Sequence, residues 1–294
     1  MIKEITVDTN MQKRSQIKSI WFRFKKNKLA MAGLILLMIL IALAIMAPLF
    51  ADYEKEAITQ NMQERLQTPN KKHILGTDQY GRDVFARLIF GARVSLAIGL
   101  LSVVISLLIG ATIGSVAGYY GGQVDNVLMR IMDVFLAIPQ ILMAISIVAA
   151  LGPGIINMLI AMVISSIPKF ARIVRSSILS IKDQEFIEAA RACGTRDSRI
   201  IAKHIIPNAV GPIIVQATLS IAGTIISISS LSFLGLGVRA PMPEWGAMLS
   251  EGKEQMRHFP HLVVIPGIAI VLTVMALNLM GDGLRDALDP RLKN

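Results

Sequence analysis

Few residues in this chain stand at spacings that support chemistry. His258 and His261 lie three apart and would share a metal only on a regular helix, which Pro260 between them argues against. Cys193 is the one cysteine, so neither an internal disulfide nor a cysteine metal cluster is available. Gly121-Gly122-Gln123 is too short a glycine run to cradle a phosphate and reads as a turn. No G-x-x-x-x-G-K-[ST] phosphate loop, no H-E-x-x-H and no G-x-S-x-G occurs. The expectation is a chain without catalytic residues, bound metal or cofactor of its own.

Two other groups of polar residues need a role. Asp133, Lys169 and Asp282 fall near the ends of apolar runs and read as interfacial anchors. A carrier driven by protons or ions keeps ionisable groups at mid-membrane, so a stand-alone secondary transporter lacks its usual residues here. The second group is the hydroxyls Thr218, Ser220, Thr224, Ser227, Ser229 and Ser230. Ser220, Thr224 and Ser227 share one helical face. That face suits either a polar, sequence-tolerant pathway lining or hydrogen bonding between helices.

The elements that carry these residues are membrane spans. The chain is 53% hydrophobic and 17% charged, against about 25% charged in soluble proteins. Apolar runs long enough to cross a bilayer are predicted at 29–50, 94–118, 128–151, 155–173, 209–234 and 262–280. The first run is too long for a signal-peptide core and lacks a small-residue cleavage site, so it is read as a retained span. The segment 83–93 is expected to be an amphipathic helix on the outer surface. Gly110, Ala111, Gly114 and Ala117 favour close helix contact in the second span. The division is a cytoplasmic segment 1–28, a first span 29–50, an external loop 51–93 and a core 94–294 of five spans. Segments on the side of the N-terminus hold 20 of the 30 Lys and Arg, which places both termini in the cytoplasm. The net charge of +10 is thus explained by orientation, and nucleic acid is not an expected partner.

The loop 174–208 is polar and ordered for a connector. Phe186, Ala189, Ala190 and Cys193 form an apolar stripe, with Glu185, Glu188 and Arg191 facing elsewhere. Gly194 is free to take positive φ and end this helix. A second short helix, 197–205, is expected to stop at Pro207. Two short helices joined at a glycine make a rigid knob, and such a knob in a membrane loop calls for something that grips it.

Glu188-Ala189-Ala190, followed by Gly194 and Ile206-Pro207, resembles the cytoplasmic "EAA" loop of ABC-importer permeases. His204 stands where the wider pattern has an apolar residue. Lys203-His204-Ile205-Ile206-Pro207-Asn208 is instead similar to the dipeptide, oligopeptide and nickel branch. Leu75-Gly76-Thr77-Asp78-Gln79-Tyr80-Gly81-Arg82-Asp83, Gly91-Ala92-Arg93-Val94-Ser95-Leu96, Ser232-Phe233-Leu234-Gly235-Leu236-Gly237 and Pro243-Glu244-Trp245-Gly246 resemble the same branch. Arg239-Ala240 departs from its proline-rich form. The tail from Gly281 to Arg291 resembles the C-type subunit.

The resemblance implies an all-α membrane protein of six transmembrane helices with the type I importer permease fold and a cytoplasmic coupling helix. It implies a heterodimer with a homologous permease, two ABC ATPase subunits that hold ATP and Mg, and a solute-binding protein outside the plasma (inner) membrane. It assigns ATPase coupling to Glu188, Ala189, Ala190, Arg191, Gly194 and Pro207. The substrate class is di- or oligopeptides, with nickel or a metal chelate as the alternative. A reporter fused after Asn294 is expected to be cytoplasmic; an external signal in a protease-accessibility assay would overturn the six-span topology.

Overall fold

The computed structural model describes residues 9–288, with side chains from residue 18. Among the described residues the regular elements are helical, apart from one isolated bridge between Thr77 and Asp83. Helix α1 (Thr9–Lys26) is polar and basic. It meets α2 (Lys28–Ile45) at Asn27, whose side chain accepts from the Leu29 and Ala30 amides at 3.1 Å, an N-cap. The predicted first span breaks at Met46, and α3 (Ala47–Phe50) follows with Pro48 in its first turn.

Helix α4 (Val84–Tyr120) runs 37 residues without a break. At 1.5 Å per residue it is about 55 Å long, nearly twice the hydrocarbon thickness of about 30 Å. Residues 84–93 are therefore the outer turns of this helix and not a separate surface helix. Asp83 caps them by accepting from the Ala86 amide, and nothing breaks the helix between them and the span. Their cations also have partners. Arg93 donates to the Ala44 and Ile45 carbonyls left open at the end of α2. Arg87 is buried against Asp78 and Glu251.

The predicted third span is broken. Helices α5 (Gly122–Leu136) and α6 (Gln140–Leu151) meet at 82°. Pro139 has ψ 129° and caps α6, so it ends one helix and begins the next. Pro168, by contrast, stays inside α7 (Ile155–Leu179). After α8 (Glu185–Ala192), α9 (Asp197–Ile200) continues through a π turn (Ile201–Ile205) into α10 (Ile206–Phe233). Pro207 thus does not cut off the short helix. The wider turn, in which the Ile206 amide reaches the Ile201 carbonyl, absorbs a residue that cannot donate. Helix α11 (Trp245–Gly252) and α12 (His261–Leu288) complete the fold. Five helices are long and apolar enough to cross a membrane, and six spans result if the bent pair α5–α6 counts as one. The tail motif from Gly281 lies in α12 as far as Leu288; its remainder is outside the described residues.

The core is the pairing of α4 with α7. Gly110, Gly114 and Gly118 lie one turn apart and face α7. A Cβ on Gly110 would come within 2.7 Å of Phe170 Cβ and 2.9 Å of the Ala171 nitrogen, and one on Gly114 would strike the Ala171 carbonyl. Ser106 adds a hydrogen bond to the Val163 carbonyl at 3.1 Å. Close backbone approach replaces the hydrophobic effect, which does not act between apolar helices in lipid.

At the Val84 end of α4 two sequence motifs come together. Arg82 and Arg87, both 1% exposed, bind Asp78 and reach Glu251 at the end of α11. Glu244 caps α11 by accepting from the Gly246 and Ala247 amides at 2.9 and 2.8 Å, and it also accepts from Ser95 of α4 at 3.0 Å. Trp245 donates to the Leu88 carbonyl at 3.0 Å. The clasp fixes α11 and the segment 52–83 to the projecting turns of α4.

Replacing Gly114 with Leu forces side-chain volume into backbone contact, and the cost expected for such overpacking is about 1–3 kcal/mol or more. Thermal unfolding of the detergent-solubilised chain should show a lower midpoint for Gly114→Leu. Gly223→Ala, where a Cβ meets nothing within 4 Å, should leave it unchanged. Equal midpoints for both would refute the close-approach role of Gly114.

Candidate coupling site

The residues singled out in the loop 174–208 are carried by α8 and its two junctions. Glu185 and Glu188 fall in the first turn of α8 and Arg191 in the last, each placed to complement the helix dipole. Gly194 has φ +72°, and the following amides close the helix, Gly194 to Arg191 and Thr195 to Ala190 at 2.9 and 3.1 Å. A Cβ on Gly194 would meet no atom within 4 Å. Backbone conformation alone therefore demands glycine there.

Helix α8 meets its own subunit differently from the expectation. Ile187 is fully buried and Ala190 partly so, while Phe186, Ala189 and Cys193 are exposed. The stripe exists at helical spacing, but most of it faces away from the subunit. Glu185, Glu188 and Arg191 are exposed as well. This chain holds α8 by the side of Ile187 and Ala190 and leaves Phe186, Glu188, Ala189 and Cys193 exposed.

That hold is specific. Ile187 packs in one apolar cluster with Tyr119 of α4, Val174 and Ile178 of α7, Ile200 of α9, Ile205 of the π turn and Ala209 and Ile213 of α10. A polar link runs beside it. Tyr119 donates to Asp197 at 2.6 Å, and the Arg191 guanidinium lies over the Tyr119 ring at 5.2 Å. The Tyr119 hydroxyl beside it holds Arg191 above its ordinary pKa, so Arg191 stays charged. Two ion pairs tie α5 to α7 just above this joint: a two-pronged contact of Arg175 with Asp125 at 2.5 Å, and Arg172 with Asp133 at 2.6 Å. Tyr119, Asp197 and Ile187 were not singled out in the sequence. The one signal that marked them was position, at an aromatic helix end, a helix start and the polar side of an amphipathic pattern.

Pro207 occupies the first turn of α10. The hydroxyls of α10 mostly serve their own helix. Thr218, Ser227 and Ser230 donate to the carbonyls of Ile214, Gly223 and Ile226. Ser220 accepts from Gln216 at 3.2 Å, and Thr224 is buried. Ser220, Thr224 and Ser227 are therefore not brought into one exposed lining within this chain. His261 opens α12 with its ring edge-on to Phe259. Gly121 and Gly122 both have positive φ and form the α4–α5 turn.

The family model described as "Binding-protein-dependent transport system inner membrane component" matches residues 110–294. A second, "N-terminal TM domain of oligopeptide transport permease C", matches residues 15–69. The dipeptide transport system permease protein DppC of Alkalihalophilus pseudofirmus is 48% identical over 92% of this chain and 89% of its own length. The glutathione transport system permease protein GsiD of Pectobacterium atrosepticum is 44% identical over 100% and 97%. The di/tripeptide transport system permease protein DppC of Pseudomonas aeruginosa is 42% identical over 98% and 96%. Among solved structures, the MetNI methionine ABC transporter in an inward-facing form shares the fold at TM-score 0.55 and 20% identity, over 69% of this chain and 96% of that one. The long apolar helices and these matches together place this chain in the family of multi-pass inner-membrane permease components of binding-protein-dependent ABC importers.

Proposed function

We propose that this chain forms half of the membrane pathway of an ATP-driven importer of short peptides and that α8 is the lever through which ATP hydrolysis moves it. The peptide assignment is supported by the named substrates of the relatives, which are dipeptides, di- and tripeptides and glutathione. A homologous permease completes the pathway, two ABC ATPase subunits with ATP and Mg sit at the cytoplasmic side, and a solute-binding protein delivers substrate from outside. Both termini are cytoplasmic in this reading.

The observation that carries the lever is the division of α8 into two faces. The buried face, through Ile187, is packed against three spans at once. The exposed face presents Phe186, Ala189 and Cys193 with Glu188 beside them, none of them buried in this subunit. A helix gripped on that face displaces α4, α7 and α10 together. An ATPase shifts the equilibrium between inward and outward openings only by its differential affinity for the two positions of α8. Small Ala189 and Ala190 let a partner groove approach, Glu188 and Arg191 supply charged contacts, Gly194 ends the lever, and Pro207 starts α10, one of the spans it moves.

Gly194→Val places a β-branched residue at φ +72° and should distort the lever while the chain still inserts. Peptide uptake is expected to fall at least tenfold, with basal ATP hydrolysis retained. Cys193 provides an independent readout, because it is exposed in this subunit. A maleimide should label it in the isolated chain and fail to label it once the ATPases are bound. Full labelling of the assembled complex would remove α8 as the docking face.

A further inference from the structure

Lys169, read from the sequence as an interfacial anchor, stands well inside α7. Gly110 packs on Phe170, so Lys169 stands about ten residues, roughly 15 Å, from the inner ends of both α4 and α7. It lies one turn deeper than Arg172, which has Asp133 as its partner, and nearly two turns deeper than Arg175, which has Asp125. Above it, Ser166 accepts from Gln140 at 3.0 Å. Among the described residues Lys169 alone in this row of polar groups makes neither an ion pair nor a hydrogen bond. A cation at this depth without a partner is costly, and such residues mark a substrate or ion pathway more often than a fixed structure.

The direction in which it stands supports a pathway. Lys169 is exposed on this subunit, while its neighbours Pro168 and Phe170 are buried. Spacing puts it one turn above Ile173 and two above Ser177, both of which line a cavity of 720 Å³ between α7, α10 and the end of α12. Asn208, Gln216 and Arg285 also line it. Gly99 packs on Ile225 just as Gly110 packs on Phe170. Counting about eleven residues back along α10 puts Lys169 level with Val215 and Gln216. Lys169 therefore stands one turn beyond the lining residue Ile173 and level with the lining residues Val215 and Gln216 of this cavity.

We propose that Lys169 is a substrate-binding residue that takes the C-terminal carboxylate of the peptide as it crosses the inner half of the membrane. This rests on the peptide reading above. A carrier that tolerates many side chains must hold what all peptides share, and a free carboxylate is the common anion. A single ammonium offers a strong charge-assisted contact without demanding a particular side chain.

The test uses the whole importer in proteoliposomes with its binding protein. Uptake of a dipeptide and of the same dipeptide amide is compared in wild type, Lys169→Gln and Lys169→Arg. Discrimination by the binding protein is common to all three and cancels in the acid-to-amide ratio. Loss of a contact to a charged group predicts that Lys169→Gln lowers this ratio about tenfold, and Lys169→Arg restores most of it. An unchanged ratio in an active importer overturns the proposal and returns Lys169 to the role of anchor. A Lys169→Gln complex that loses the second permease on purification assigns the counter-charge to that subunit and also overturns it. A wild-type importer that moves no peptide at all would instead strike the peptide reading itself.

Discussion

The fold depends on how closely α4 and α7 can approach. In water, apolar faces drive helices together; in lipid that force is absent, and short-range packing must replace it. Three glycines one turn apart on α4 supply the packing by letting the backbone of α7 into contact. Everything that gives this chain its use is attached to that pair. The outer turns of α4 carry the clasp that holds α11. The inner end of α4 carries Tyr119, which sits in the joint under α8. Because α4 is one continuous helix of 37 residues, the outer clasp and the inner joint are two ends of one rigid rod.

The lever proposed for α8 requires a rigid joint. An eight-residue helix is too short to hold its shape alone in water. Here it is held by tertiary contacts: one fully buried isoleucine, a glycine C-cap, and a tyrosine that hydrogen-bonds to the start of the next helix. The remaining surface, apolar and charged together, stays outside. The asymmetry explains why the sequence pattern was ambiguous. A stripe at helical spacing shows that a helix has an apolar side, but not whether that side meets its own chain or another one.

The prolines show the same limit in a different form. Pro139 breaks a span at 82°, Pro168 does not break α7, and Pro207 begins a helix that the chain enters through a π turn. Each lacks the same amide. What differs is whether neighbouring helices enclose the freed carbonyl or the chain has room to turn. Pro168 is buried between packed helices, whereas Pro139 lies at an exposed bend.

Local physics determined much of this protein from its sequence alone. Runs of apolar residues required spans, and Gly194 ended the helix ahead of it. The Glu188-Ala189-Ala190 segment marked the helix that projects. These features are legible because each depends on residues within a turn or a span of one another. Tertiary structure alone decided which face of α8 is buried, that residues 84–93 extend the second span, and that Arg82 pairs with Glu251, 169 positions away. It also decided that Lys169 stands about ten residues from the ends of both α4 and α7 without a partner among the described residues. Burial of a charge depends on what stands across from it, and helix packing rather than sequence spacing brings those partners into place.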